Sequence, residues 1–181
     1  MFNYIDLNLQ NPKLADDAKK LGFSQVKTAR ILLLENGKDL NLANGKELMT
    51  VESADPELLR NCIKQKKPIL CNPLLSKDFY RDDGLIREAA ERETVFEIPI
   101  SEFLKSNFVF RAKLINNARK FIKKCLKLKA SFVFTSRAEN ELELKSPREI
   151  IAIASTLFDL TTEQAQFAIS RRAEKVIRTI G

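Results

Sequence analysis

A strand, a charged loop and a capped helix follow one another between residues 130 and 157, and this unit restricts the fold most strongly. The strand is the short apolar run 132–134, which is aromatic and β-branched. After the loop, Ser146, Pro147 and Glu149 occupy the N-cap, first-turn and capping-box positions of a helix. In α/β proteins such a loop lies at the carboxyl ends of the strands, where functional sites are usually built.

The same alternation of a short apolar strand and an amphipathic helix recurs along the chain. Strands are predicted at Phe2–Leu9, Val26–Leu34, Leu48–Val51, Ile69–Cys71, Val95–Ile98 and Phe132–Phe134. Helices are predicted from Pro12 to Gly22, Pro56 to Pro68, Gly84 to Glu93, Arg111 to Leu128 and from Pro147 onward. Polar residues 38–46 are expected to form an exposed loop, and the long loop 72–83 is a candidate functional segment because of its length.

This alternation predicts parallel β/α units. Six or seven strands within 181 residues favour a single domain over 1–181, a compact or incomplete β/α barrel, since a full TIM barrel typically takes about 250 residues. A doubly wound open sheet is the alternative.

Three cysteines without a C-x-x-C spacing are expected to be reduced core residues, and no signal peptide or membrane span is expected, so a cytoplasmic protein is predicted.

Positive charge is concentrated in the C-terminal part of the chain. The formal charge is −1 over residues 1–100 and +8 over residues 101–181, which suggests a polyanionic partner. The predicted helix 111–128 has an apolar stripe from Leu114 to Leu126, and basic residues surround that stripe. No acid occurs between Glu102 and Glu139. A solvated helix face is the plain interpretation, but like charges repel along a helix, so binding to a phosphate backbone is preferred.

Catalytic patterns are scarce. The absence of histidine excludes catalytic triads and histidine–metal chemistry, and no glycine-rich phosphate loop is present. Asp6, Glu52 and Glu97 lie at or near strand ends, where they could bind Mg²⁺ or act as acid and base. Satisfaction of these acids by loop backbone or by arginine is the stronger expectation. No catalytic residue, metal site or cofactor is therefore predicted.

The chain resembles the ribonuclease P protein component 3 family, the archaeal counterpart of the eukaryotic thirty-kilodalton subunit. The resemblance rests on segments whose order and spacing match the family: Asp6-Leu7-Asn8, Asp83-Gly84, Ala89-Ala90, Glu97, Asn117-Ala118-Arg119, Phe132–Thr135 and Ser146-Pro147-Arg148-Glu149. It implies a TIM-barrel-like fold related to the metal-dependent PHP phosphoesterases. The first strand of those enzymes carries a His-x-His metal motif, whereas this chain has Asp6 and Asn8 in that place. Inherited phosphoesterase chemistry is therefore not expected.

The resemblance further implies a subunit of the ribonuclease P ribonucleoprotein, an endonuclease of tRNA processing. It would pair with ribonuclease P protein component 2 and support the catalytic RNA that removes the 5′ leader from precursor tRNA. Two alternatives are a carboxylate-only metal-dependent phosphoesterase and a general basic RNA-binding protein. The predicted RNA-binding residues share a positive charge and the C-terminal part of the chain: Arg111, Lys113, Arg119, Lys120, Lys123, Lys124, Arg137, Arg148, Arg171 and Arg172.

Overall fold

A computed structural model describes residues 2–43, 46–66 and 68–180. Its strands are β1 (Ile5–Asp6), β2 (Gln25–Val26), β3 (Arg30–Leu33), β4 (Met49–Glu52), β5 (Leu70–Asn72), β6 (Val95–Pro99) and β7 (Phe132–Thr135). Its α-helices are α1 (Ala15–Lys20), α2 (Pro56–Lys66), α3 (Asp83–Arg92), α4 (Ile100–Lys105), α5 (Phe108–Leu128), α6 (Pro147–Phe158), α7 (Thr162–Ala168) and α8 (Arg171–Ile180). Short 3₁₀ helices cover Pro12–Leu14, Gly37–Leu42 and Phe79–Arg81.

All strand pairs are parallel. Strands β3 to β7 form one sheet in chain order, and β1 pairs with β2 in a second, two-stranded sheet. A doubly wound sheet reverses its strand order at a switch point, and this sheet does not. The structure therefore confirms the predicted mixed α/β fold of TIM-barrel type.

The predicted strand from Val26 to Leu34 is interrupted. Its first part, β2, pairs with β1, while β3 pairs with β4 on the other side. Between them, Lys27 extends the β1 pairing, because its N–H donates to the carbonyl of Asp6 (2.8 Å) and its carbonyl accepts from Leu9 (2.8 Å). One stretch of chain thus links the two sheets.

The two ends of this strand series approach each other between β1 and β7. Backbone N–H groups that follow β7 donate to the end of β1 and to the segment after it. Ser136 donates to Asp6 Oδ1 (3.1 Å) and Arg137 to the carbonyl of Asn8 (2.9 Å). These contacts bring the carboxyl ends of β1 and β7 side by side, although the described residues show no regular ladder there.

Alternation along the strands produces two hydrophobic cores. Phe96, Ile98 and Phe134 point to the helices and belong to the larger core. Val95 and Val133 face the other way and pack with other apolar side chains, including Ala173 and Val176 of α8. Helix α8 therefore fills the inside of the strand array instead of covering its outside.

The capped helices confirm the local sequence signals. Ser146 N–H donates to Glu149 Oε2 (2.7 Å) and Ser146 Oγ accepts from the Glu149 N–H (3.3 Å), so the capping box at the start of α6 is formed. Thr161 and Gln164 form a second box at α7. Three features were not predicted: α4 directly after β6, and the 3₁₀ helices 37–42 and 79–81 within the expected loops 38–46 and 72–83. Residues 44 and 45 of the first loop lie outside the described residues.

The three cysteines are buried and free, as expected. None of the described helices is both long and apolar enough to cross a membrane.

Candidate functional site

A buried polar cluster lies at the carboxyl ends of the strands. Because the strands are parallel, their carboxyl ends meet at one edge of the array. The polar residues there are buried and come from five strands: Asp6, Asn8, Glu52, Asn72, Glu97 and Thr135. This is the position at which barrel proteins usually place their chemistry.

Arg137 neutralises the carboxylates of this cluster. It is 6% exposed and has a left-handed backbone conformation (φ 49°). Its guanidinium lies 3.0 Å from Glu52 Oε2, 3.6 Å from Glu97 Oε2 and 3.4 Å from Glu102 Oε1. Burial opposes the charge of Arg137, but the carboxylates of Glu97 and Glu52 outweigh it and raise the pKa of the guanidinium.

Neutral donors complete the cluster. Asn8 Nδ2 donates to Glu97 Oε1 (2.7 Å), and Thr135 Oγ1 donates to the same oxygen (2.6 Å). Asn72 Nδ2 donates to Glu52 Oε2 (2.9 Å). Arginine pairs with Glu52 and loop backbone donates to Asp6, as expected, whereas Glu97 is hydrogen-bonded mainly by the side chains of Asn8 and Thr135.

Asp6 is the least compensated acid of the cluster. Its Oδ1 accepts from the N–H groups of Asn8 and Ser136, both at 3.1 Å. Its Oδ2 is buried and has no hydrogen-bond partner among the described residues. Burial raises the pKa of Asp6 to about 6, and the nearby Glu97 adds to that increase.

The cluster in this arrangement does not fit a divalent metal ion. The guanidinium of Arg137 lies among the carboxylates of Glu52, Glu97 and Glu102, where a cation would have to bind. Over the described ranges, no group of three or more His, Cys, Asp or Glu residues could hold a metal. No hydrolytic step through a metal follows from this geometry.

The basic helix α5 has neutralised flanks. Lys123 Nζ lies 2.8 Å from Asp159 Oδ2, and Arg119 lies 3.7 Å from the same oxygen. On the other flank, Lys124 forms an ion pair with Asp83. The stretch that is free of acids in sequence therefore receives carboxylates from neighbouring elements. Much of the predicted charge repulsion is offset within the chain.

A central ridge of α5 remains unpaired. Lys113, Lys120 and Lys127 are exposed, and they share one helix face because they are seven residues apart. Within the part of the chain that the structure describes, none of the three forms an ion pair. Lys120 Nζ lies 5.5 Å from the centre of the Tyr80 ring. We call these three residues the α5 ridge.

The other predicted RNA-binding residues do not gather at one surface. Arg111 is occupied with the carboxyl end of α4, since it donates to the carbonyls of Leu104 (2.9 Å) and Ser106 (2.6 Å). Arg148 is exposed at the start of α6. Arg171 and Arg172 belong to α8, at the opposite end of the strand array from Arg137.

A comparison with protein families gives the identification. The model of the family described as RNase P subunit p30 matches residues 34–181. The chain belongs to this family.

Curated proteins similar to the chain include archaeal members named ribonuclease P protein component 3. That of Methanothermobacter thermautotrophicus is 25% identical over 124 residues, which are 66% of this chain and 49% of the relative. That of Methanosarcina barkeri is 26% identical over 152 residues, or 81% of this chain and 63% of the relative. The chain thus spans about half to three-fifths of the length of these relatives.

Solved structures agree on the fold of this RNase P subunit p30 family member. A chain from the cryo-EM structure of an archaeal ribonuclease P with mature tRNA superposes with a TM-score of 0.69 at 18% identity, covering 96% of this chain and 79% of its own length. Ochratoxinase from A. niger gives a TM-score of 0.50 at 14% identity, covering 96% of this chain and 60% of its own. Both likenesses concern the fold alone.

Several residues that carried the family resemblance build the buried cluster. Asp6, Asn8, Glu97 and Thr135 are members of it, and Ser146 starts the helix that follows its loop. In this p30 family member, part of the recognisable sequence therefore joins the strand ends to one another.

Three exposed apolar residues at the start of α5 were not predicted from the sequence. Phe108, Val109 and Phe110 are 84%, 78% and 62% exposed. A signal was present, because three consecutive apolar residues in a helix cannot all face the core. The role of Arg137 as the internal counter-ion was also missed, since its partner Glu52 is 85 residues away in sequence.

Proposed function

We propose that this chain acts as a protein subunit of ribonuclease P, in which the RNA is the catalyst that removes the 5′ leader of precursor tRNA. The match of the RNase P subunit p30 family over residues 34–181 carries the proposal. The named relatives are ribonuclease P protein component 3, and the chain covers only part of their length. We also propose that 1–181 forms one domain, supported by a main core that extends from Leu9 to Ile169.

The buried cluster supports an accessory role instead of intrinsic catalysis. A hydrolase of this fold needs an available base, nucleophile or metal at the carboxyl ends of the strands. In this chain Glu52 and Glu97 are engaged by Arg137, Asn8, Asn72 and Thr135, and the third acid, Asp6, is fully buried. The chain also lacks histidine. The carboxylate-only phosphoesterase is therefore the weaker alternative.

We assign the main RNA contact to the α5 ridge. A strand of phosphates requires exposed cations that are not already neutralised within the protein. Lys113, Lys120 and Lys127 meet this requirement, and Arg148 adds an exposed cation beside the carboxyl-end cluster. Lys123, Lys124 and Arg119 support the surface from its flanks but share their charge with Asp159 and Asp83. Arg137 is an internal counter-ion in this proposal.

Ribonuclease P protein component 2 is the protein partner that we propose. Its docking surface is assigned to Phe108–Phe110, because these side chains form an exposed apolar segment at the start of α5. No acid occurs from residue 103 to 138, so the matching surface of component 2 is expected to combine apolar side chains with carboxylates.

Three buried free thiols support a reducing location such as the cytoplasm.

Reconstitution tests this proposal. The cognate RNA is assembled with and without this chain and component 2, and cleavage of precursor tRNA is measured. We expect the chain to raise cleavage at moderate Mg²⁺ only when the RNA is present. Cleavage by the RNA-free protein, surviving repurification and lost in Asp6→Ala, would replace the proposal with the phosphoesterase alternative.

A second measurement separates the remaining alternative. A general RNA-binding protein would bind unrelated structured RNAs with the same affinity and would not bind component 2. Replacement of Phe108 and Phe110 by serine is expected to weaken binding of component 2 and to leave the salt dependence of RNA binding unchanged. Equal RNA affinities together with no detectable pairing would favour the general RNA-binding protein.

A further inference from the structure

A second basic surface lies at the amino ends of the strands, opposite the Arg137 cluster. It is a cleft of about 670 Å³ between the start of β6, the ends of α2, α3 and α5, and one face of α8. Among the described residues, one carboxylate (Glu93) and six basic side chains line it: Lys46, Lys66, Arg92, Lys129, Arg172 and Lys175. We call it the amino-end cleft.

Helix dipoles explain only part of this charge. Lys66 and Arg92 are in the last turns of α2 and α3, and Lys129 caps the end of α5, where cations are favoured by about 0.3–1 kcal/mol each. Arg172 is different because it lies in the first turn of α8, where the dipole disfavours a cation. The helix dipole therefore does not explain why a cation is held at that position.

Arg172 is positioned but not neutralised. Its guanidinium lies 4.3 Å from the centre of the Phe132 ring, and its NH1 donates to the carbonyl of Phe132 (3.2 Å). Burial lowers the pKa of Arg172, and no carboxylate offsets that loss within the described ranges. A guanidinium has five donors in a planar fork that matches phosphate oxygens. With one donor shown in use, Arg172 presents a fixed cationic group at the cleft.

The lining favours a phosphate backbone over a nucleobase. The described residues of the cleft include no aromatic ring on which a base could stack. They offer long basic side chains instead, of which Lys129 is exposed and Lys66 half-buried, both without an ion pair in the described part of the chain. Phosphate contacts of this kind position a nucleic acid without reading its sequence.

The cleft also continues the α5 ridge. Helix α5 is 21 residues long, which corresponds to roughly 30 Å, and it runs from the carboxyl-end side to the cleft. Lys127 belongs to the ridge, and Lys129 lies two residues beyond it in the lining of the cleft. Exposed lysines are therefore distributed along the length of α5 up to the cleft.

We propose that the amino-end cleft binds the phosphodiester backbone of an RNA strand, as a second contact that extends the α5 ridge. The proposal rests on the assignment of this chain to ribonuclease P. The ligand chemistry is a phosphodiester held by Arg172, Lys66 and Lys129, so binding depends on salt and not on base identity.

The test uses ribonuclease P assembled from its RNA and proteins, with the cleft variant Lys66→Gln/Lys129→Gln. Its matched control is Lys13→Gln/Lys27→Gln, which removes the same charge from exposed lysines outside the cleft and the ridge. The quantity measured is the slope of log K against log salt, where K is the association constant for RNA binding. The cleft variant is expected to reduce this slope by about 1.4–1.8, which corresponds to 0.7–0.9 for each lost phosphate contact. The control is expected to retain the wild-type slope. All variants are expected to stay folded, with a modestly lower melting temperature for the cleft variant because Lys66 and Lys129 lie at helix ends.

The outcomes are distinguishable. An unchanged slope in the cleft variant, together with a reduced slope in a Lys113→Gln/Lys120→Gln/Lys127→Gln variant, would overturn the cleft and leave the proposed function standing. If wild-type chain neither binds the RNA nor raises cleavage, the proposed function itself fails. Inorganic phosphate is the probe for a small ligand. If it binds the isolated chain in the micromolar range and the slope is unchanged, the cleft is a small-phosphate site and the RNA proposal is wrong.

Discussion

The Arg137 cluster and the α5 ridge handle positive charge in opposite ways. In the cluster, one buried guanidinium lies among three carboxylates, and each acid also has a neutral donor or a solvent-facing side. On the ridge, three exposed lysines form no ion pair among the described residues. A cation neutralised within the fold contributes to structure, whereas a cation left unpaired on the surface is available to another molecule.

The flanks of α5 show that this distinction is not visible in the sequence. Lys123 and Lys120 are three residues apart on the same helix, yet only Lys123 lies near a carboxylate, that of Asp159. Which lysines of α5 are paired therefore depends on how the helix packs against its neighbours.

The largest expected effect comes from the buried side of the comparison. Arg137→Met keeps much of the volume but leaves Glu52 and Glu97 without their counter-ion. Removing one member of a buried ion pair costs about 3–5 kcal/mol, so we expect a loss of that size in the free energy of unfolding, measured by chemical denaturation. Adding Glu52→Gln should recover part of the loss, because the two residues are in contact. An Arg137→Met protein as stable as wild type would contradict the internal counter-ion.

Asp6 tests the same cluster through pH. Its pKa of about 6 lies above the unfolded value of 3.8, so its charge opposes folding by an amount on the order of 3 kcal/mol above pH 6. That penalty disappears as pH falls towards 4, because the folded state then binds the proton. The difference in unfolding free energy between Asp6→Asn and wild type should therefore shift against the variant by up to this amount between pH 7 and pH 4. A difference that is constant with pH would show that Asp6 titrates normally.

The exposed side of the comparison predicts a large effect on RNA binding and only a small one on stability. Lys113→Gln/Lys120→Gln/Lys127→Gln should reduce the slope of log K against log salt for the ribonuclease P RNA by about 2–3, at 0.7–0.9 per contact. Lys123→Gln/Lys124→Gln is the matched control on the flanks and should reduce the slope less per lysine, since these cations are already paired. Equal reductions per lysine would remove the distinction between ridge and flank.

The smallest expected effect lies outside both regions. Ser146→Ala removes the N-cap of α6 and should lower the free energy of unfolding by about 1 kcal/mol. RNA binding and its salt dependence should stay as in wild type. A larger loss than that of Arg137→Met would mean that the helix cap, and not the cluster, dominates this part of the fold.

Local signals predicted much of the fold. The cap at Ser146 and the buried stripe of α5 lie where the sequence places them, because these features depend on neighbours three or four residues away. Helix α4 was missed because no helix was predicted between the strand that ends at Ile98 and the helix that starts at Arg111. The break in the strand 26–34 was missed because its two parts pair with different strands.

The site was predicted less completely, for a physical reason. The acids Asp6, Glu52 and Glu97 could be placed at strand ends, and their satisfaction by arginine or backbone could be expected. Which arginine would do so depends on contacts between residues 85 apart, as for Arg137 and Glu52. The same applies to Lys123 and Asp159, 36 residues apart. Long-range pairing therefore decided which basic residues remained exposed and unpaired.

The position of α8 has a consequence for synthesis on the ribosome. Ala173 and Val176 complete the inner core that begins with Ile5 and Leu7 of the first strand segment. The two ends of this core are separated by almost the whole chain, so the interior stays open to water until residue 176 has left the ribosomal exit tunnel. During that interval the exposed valines and leucines of the inner face need protection from aggregation. Nascent chains stalled before residue 170 should therefore remain bound to chaperones, whereas the released chain folds.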